Sequence, residues 1–381
     1  MKFAAVLFSG AIILAGVHGA FAQSNPADSA RAAAQQLEQA SLSLQSARKS
    51  RDRVAALTQT VQAYEAGLMA MREGLRRAAI REAQIGRELK AQEAEISRLL
   101  GVLQSMGSGP PPVMLLHPSG PTGTARSGMI LADITPALEA RANKLRVDLE
   151  EIVILRDLQQ GAADDLQAGL RGVQDARTEL SKAISDRSDL PQRFADDPVK
   201  TALLIATTET LEGFASGLSE IQEDGVQPMD LPDISARKGS LALPVQAQVL
   251  RYAGEADAAG IRRPGLVLAA RPNALVVSPT AATIRYRGPL LDYGNVMILE
   301  PQTGLLFVLA GMETVFGDAG QVIPEGTPVG LMGGEDPKIG AILSQSGDGS
   351  GNGRSETLYI EVRQDKNSVD PNIWFRTDKD G

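Results

Sequence analysis

The chain has 381 residues, a formal net charge of −8, 4% aromatic residues, two histidines and no cysteine. An acidic balance with few aromatic side chains excludes non-specific nucleic-acid binding, which needs a basic face. The missing cysteines exclude disulfide staples and thiolate metal sites, so the two or three domains this length allows must rest on apolar cores.

At the N-terminus, Met1-Lys2 precedes an apolar run from Phe3 to Val17, and Ala20-Phe21-Ala22 stands before Gln23. This order predicts a cleavable secretory signal peptide over residues 1–22, because the apolar run is shorter than the ~20 residues that a span requires. The mature chain is therefore expected in the periplasm. His18 leaves with the leader, and His117 is then the one imidazole left.

From Val54 onward apolar residues recur at alternating steps of three and four: Leu57, Val61, Tyr64, Leu68, Met71, Leu75 and Ala78, resuming at Ile85, Leu89, Ile96, Leu99 and Leu103. A sustained 3.5-residue period is the coiled-coil signature, and Val54 to Leu103 would span ~75 Å. Upstream, Leu37, Ala40, Leu44 and Ala47 form a weaker stripe in a shifted register. Residues 107–127, with three consecutive prolines and a second Gly-Pro, read as a helix break. A second apolar series then runs from Leu138 through Leu145, Leu149, Leu158, Leu166 and Val173 to Ile184. Neither stripe is stable alone in water. The two together predict an antiparallel coiled-coil hairpin over residues 23–190, with its turn near 107–128.

Residues 198–222 predict a shorter amphipathic helix striped by Leu204, Leu211, Phe214, Leu218 and Ile221. Residues 223–240, with Gly225, Pro228 and Pro232, read as a linker. Beyond Ser240, short apolar runs alternate with Gly, Pro and Asn: 245–252, 265–269, 274–277, 281–286, 296–299, 305–309, 329–332 and 358–362. That texture predicts an all-β domain over residues 241–381. The fold class is thus α+β in separate regions, a helical hairpin followed by an all-β domain.

The ordered segments "LPVQAQVLRYAG", "RRPGLVLAARPNALVVSP", "YGNVMILEPQTGLLFVLAG", "AGQVIPEGTPVGLMG" and "TLYIEVRQDKNSVDP" resemble the LytM (lysostaphin-type) peptidase domain. Within that group they are most similar to EnvC-type murein hydrolase activators. The resemblance covers about the last 140 residues. Active members bind zinc through an HxxxD motif and the second His of an HxH motif; the first His of HxH and one further His act in the chemistry. At the HxxxD positions this chain has Arg263 and Val267, at the HxH positions Thr357 and Tyr359, and the further His falls within a residue or two of Leu309. Independently, catalytic zinc wants three protein ligands, mostly imidazole or thiolate, and one imidazole does not supply them. No enzyme activity, no metal and no cofactor are therefore expected.

Tyr359, Arg363, Arg263, Phe307 and Leu309 are expected to line or flank the former groove as a partner-binding surface, since Tyr and Arg are enriched at interface hot spots. Repacking of a defunct cleft is the plainer reading of the same residues. The resemblance implies a non-catalytic periplasmic activator of cell-wall (N-acetylmuramoyl-L-alanine) amidases in cell division. It also implies an FtsX-like membrane partner for the coiled coil, and a helix that holds the groove shut, for which Leu204–Ile221 is the candidate. That helix would otherwise pack on the hairpin base. A peptidoglycan-binding scaffold and a hairpin adaptor of an export pump are the alternatives. A Gly-Ser-rich insertion, residues 333–356, stands where the family has a short turn.

Overall fold

The computed structural model describes residues 26–93, 97–98, 101, 120–187, 190–194, 197–220, 233–335 and 356–377. The leader at 1–22, His117, the apolar residues Ile96, Leu99, Leu103 and Ile221, and most of the Gly-Ser-rich insertion lie outside them.

The helical region begins with α1 (Pro26–Ser46), which a three-residue connection separates from α2 (Ser50–Ala91). This separation accounts for the shifted register: Ala33 and Ala40 are buried because α1 folds back along α2 as a third helix, and Ala33 meets Gly67. The long helix α3 (Gly120–Ser185) runs antiparallel to α2. Partner numbers fall along α2, from Glu179 opposite Arg53 to Glu151 and Arg156 opposite Arg81 and Glu82. Val54, Leu57, Val61, Leu68 and Leu75 interlock with Leu166, Val173 and Leu180 in one buried seam. The helix break read up to residue 127 ends earlier, because α3 starts at Gly120 and takes Pro121 into its first turn, where the missing N–H breaks no bond. Two residues of the expected second stripe, Leu149 and Leu158, face outward. There the two helices meet through polar contacts instead, the half-buried Gln159 donating to Glu82.

The C-terminal region is an antiparallel β-domain, so the molecule joins a region of long helices to an antiparallel sheet. Its strands are β1 (Ala247–Arg251), β2 (Leu266–Ala270), β3 (Leu275–Val277), β4 (Ala282–Pro289), β5 (Asn295–Gln302), β6 (Leu305–Val315), β7 (Val322–Ile323), β8 (Pro328–Met332), β9 (Glu356–Gln364) and β10 (Asn367–Val369). The main path is β1-β2-β9-β6-β5-β4-β7, with β10 on β9 and with β3 joined to β6 through β8. All eight apolar runs form strands. The short β7 and β10, too brief to show an alternation, escape the pattern.

Side chains alternate between the two faces of a strand. On β9, Leu358, Ile360 and Val362 enter a core with Leu305, Phe307 and Leu309 of β6 and Met297 and Leu299 of β5. Trp374 and Phe375 close this inner face, both within 6.0 Å of the Phe307 ring. On the outer face lie Val296, Ile298, Leu306, Val308 and Ala310.

Two further contacts position the parts. The hairpin root docks on β3 and β8, with Leu275 inside the hairpin seam. There the buried Glu65 carboxylate accepts from Arg177 at 2.9 Å and from the Leu275 N–H at 3.2 Å, and Arg271 donates to the Glu65 carbonyl. Burial pushes the Glu65 carboxyl up against the opposing pull of Arg177.

The segment expected as one helix is two: α4 (Pro198–Thr207) and α5 (Leu211–Glu220). Asp197 caps α4 by accepting from Val199 and Lys200, and Thr208 closes it on the Leu204 carbonyl. Residues 233–240, read as linker, are pinned to the β-domain: Ile234 is buried and Arg237 pairs bidentately with Glu325.

Candidate functional site

The outer sheet face is sealed by α5. Leu211, Phe214, Ala215 and Leu218 are buried against Tyr286, Val296, Ile298, Leu306 and Val308, and Phe214 meets Tyr286 edge-on at 4.7 Å. α4 lies behind, with Leu204 packed over Gly217 of α5. The helix therefore packs on the sheet rather than on the hairpin base.

Tyr359 and Arg363 share the outer face two residues either side of Glu361, as strand alternation requires. Glu361 is buried and accepts from three groups: the Tyr359 hydroxyl at 2.9 Å, Arg363 Nη1 at 2.8 Å and Ser368 Oγ at 2.7 Å. Burial, then the Glu361 carboxylate, pushes the Tyr359 phenol above its usual range, so it stays protonated and donates. Arg363 is 1% exposed. Its Nη2 donates to Ser216 of α5 at 2.9 Å and to the Lys366 carbonyl, and Glu212 of α5 lies at 3.5 Å. The arginine is thus covered by the helix, not presented to solvent.

Beside α5 a cleft of about 510 Å³ stays open, lined by Arg263, Val267, Tyr293, Gly311, Thr357 and Tyr359 with neighbours from the α4–α5 turn and the β4–β5 loop. The four positions that the resemblance equates with metal and catalytic residues, 263, 267, 357 and 359, all meet there. Gly265 permits this: a Cβ at that position would fall 2.6 Å from the Tyr359 ring. Arg263 stands exposed at the rim, with Asp257 at 3.9 Å.

Phe307 and Leu309 do not belong to this surface. Both point into the inner core with no exposure. The β6–β9 register sets Ala310 opposite Tyr359 and Leu309 opposite Ile360, so the even-numbered residues of β6 share the face of Tyr359. On β6 the cleft is walled by Ala310 and Gly311. A φ of +98° holds Gly311 in the left-handed region, and a Cβ there would stand 2.5 Å from the Thr357 carbonyl oxygen.

Sequence reasoning puts Glu361 on the face of Thr357 and Tyr359 without giving it a role, and it misses Ser216 and Glu212. The first is legible because it lies midway on the 357–363 alternation. The other two depend on how α5 crosses the sheet, which no local pattern encodes.

Zinc does not fit this cleft. Besides a cationic guanidinium, an apolar Val, a Gly, a hydroxyl and a phenol committed to Glu361, the lining offers two carboxylates, Glu209 and Asp292, and no imidazole, short of the three-ligand set such a metal needs. Among the described residues, no three His, Asp or Glu side chains cluster as a metal-binding group.

Residues 262–371 match the family model described as Peptidase family M23, so the β-domain is an M23-type (LytM-type) domain. No match was found among curated protein sequences. Similar solved structures include Csd3 from Helicobacter pylori, at 20% identity over 36% of this chain and 35% of that one, TM-score 0.28. A zinc-containing peptidase from Vibrio cholerae is 16% identical over 35% of this chain and 39% of that one, TM-score 0.27. The catalytic domain of the prophage-encoded M23 protein EnpA from Enterococcus faecalis is 16% identical over 36% of this chain and 96% of that one, TM-score 0.27. This chain thus spans about a third of the length of Csd3, and no ligand or partner carries over at such likeness.

Proposed function

We propose that this protein is a non-catalytic, periplasmic activator of cell-wall amidases, acting in peptidoglycan splitting at division and regulated through its coiled coil. The observation that carries the reading is one surface: an M23-type groove whose donors cannot hold zinc, half covered by a helix from elsewhere in the same chain. An M23-type groove without a metal set is free to bind a protein segment, and the buried Tyr359–Glu361–Arg363 network is a preformed polar floor for it. The tether keeps α5 at high effective concentration over that floor, so at rest the helix wins the groove. An FtsX-like membrane partner binding the hairpin would shift the balance by preferring the uncovered state.

Reconstitution tests this directly. Purified chain, dye-labelled cell wall and each periplasmic amidase are combined singly and together. Dye release is expected only with an amidase present, and deletion of residues 199–222 is expected to raise it. Release by the chain alone would overturn the reading, as would a deletion variant no more active than the full chain. Tyr359→Ala is expected to abolish activation while leaving sedimentation with sacculi unchanged. Loss of sedimentation instead would make the protein a wall-binding scaffold.

A further inference from the structure

Residues 190–194, which lead out of α3, are stitched to the edge of the β-domain. Val322 N–H donates to the Pro191 carbonyl and Arg193 N–H to the Gly320 carbonyl, each at 2.8 Å, and Gln192 bridges antiparallel to Gln321. Two side chains reach inward from this stitch. Arg193 Nη1 donates to Glu300 Oε2 of β5 at 3.0 Å, and the Phe194 ring centre lies 5.1 Å from the Arg285 guanidinium carbon.

Arg285 of β4 is where the stitch meets the cover. Its Nη1 donates to the same Glu300 oxygen at 3.4 Å, and its Nη2 donates to the Leu218 carbonyl at 3.0 Å, in the last turn of α5. The three charged side chains are at most 14% exposed. Carbonyls in a helix's last turn lack intrahelical partners and carry the negative end of the dipole, so Arg285 both caps and neutralises that end. A cation facing an aromatic ring is held there as well. One guanidinium is thus shared among a ring supplied by the hairpin's exit, a carboxylate of β5 that the exit's Arg193 also binds, and a carbonyl supplied by the helix.

We infer that Arg193, Glu300 and Arg285 form a link through which the exit of the hairpin sets the grip of α5 on the groove; this rests on the proposal that α5 is the cover. With residues 190–194 seated, Arg193 shares the Glu300 carboxylate, so Arg285 gives it only Nη1 and keeps Nη2 on the α5 carbonyl. When the stitch peels from β7, Glu300 keeps Arg285 as its one cation and Phe194 no longer holds it in place. The guanidinium then turns to pair with the carboxylate through both Nη atoms, because a bidentate bond between two opposite charges outcompetes one to a neutral carbonyl. The cap on α5 is lost although nothing has touched the helix. This is a physical coupling in the strict sense, since the same element is biased from both ends.

Hydrogen exchange of residues 211–220 in the purified full chain reads the grip. Arg193→Met and Phe194→Leu lie outside α5, yet each is expected to speed its exchange roughly tenfold, and pairing either with Arg285→Met is expected to add little more. Arg287→Met, on the same strand as Arg285, removes an exposed pair with Asp318 of the β6–β7 turn and is expected to change nothing. Unchanged exchange in Arg193→Met and Phe194→Leu, with Phe214→Ala still fast, would sink the link and leave the cover intact. Equal acceleration across β5 and β6 would also sink it, by making Glu300 a plain structural ion pair. Fast exchange in every variant without any rise in amidase activation would leave the link standing and overturn the amidase reading.

Discussion

The two faces of the β-sheet carry similar apolar rows but are sealed in different ways. The inner face is closed by the domain itself: Trp374 and Phe375 return from the C-terminal end to lie on Phe307, and Leu241 bridges Phe375. The outer face is closed by ten residues of α5, which arrive from the other side of the chain segment at 221–232 and hold on through Leu211, Phe214, Ala215 and Leu218. An inner-face residue cannot be uncovered without unfolding the domain, whereas the outer face can be bared by moving one helix. On the proposal that α5 is the cover, stability is not uniform across this sheet, and the outer side is the one expected to open first.

The sharpest way to break that contrast is Trp374→Ala. It opens the inner core and should cost about 3–5 kcal/mol, the usual toll for a buried large aromatic. The cost should appear as a lower melting temperature and as loss of all activation. Phe214→Ala removes a ring of comparable burial from the outer face, so its intrinsic cost is about 3 kcal/mol. Here, however, the helix can detach. Exchange in 211–220 should rise steeply while β6 and β9 stay protected, and amidase activation should increase. A global loss of protection in this variant would show that the outer face belongs to the fold as much as the inner one. Ser216→Ala removes one of the bonds to Arg363 and should loosen α5 by about 1 kcal/mol, visible in exchange and invisible in melting. Arg81→Ala, in the distal hairpin and far from either face, breaks an exposed pair with Glu151. It should leave melting, exchange of α5 and activation unchanged, since such pairs are screened by water and salt.

Much of this arrangement is written in local patterns. The heptad run from Val54 gave the hairpin, and eight apolar runs gave eight strands, because periods of 3.5 and 2 are fixed by backbone geometry. The same period of two, applied along β9, put Tyr359 and Arg363 on one face. Applied to β6 without the pairing register it could not say which parity faced the cleft, so Phe307 and Leu309 were expected there and stand in the core instead. The break of one expected helix into α4 and α5 at Thr208–Thr210 was likewise hidden, because no proline or glycine marks it. Nor can any local pattern show that Arg363 lies beneath Ser216, a contact 147 residues apart in the chain.

Gly311 has a consequence for the history of such a groove. With its left-handed backbone and the Thr357 carbonyl where a Cβ would go, this position has no room for a histidine. One codon change there could not reinstate a ligand or a base. β6 or β9 would first have to shift, and that shift by itself restores no chemistry and so offers selection nothing to favour. A single substitution therefore cannot place an imidazole on this wall of the cleft, because the Thr357 carbonyl oxygen already occupies the direction its side chain would take.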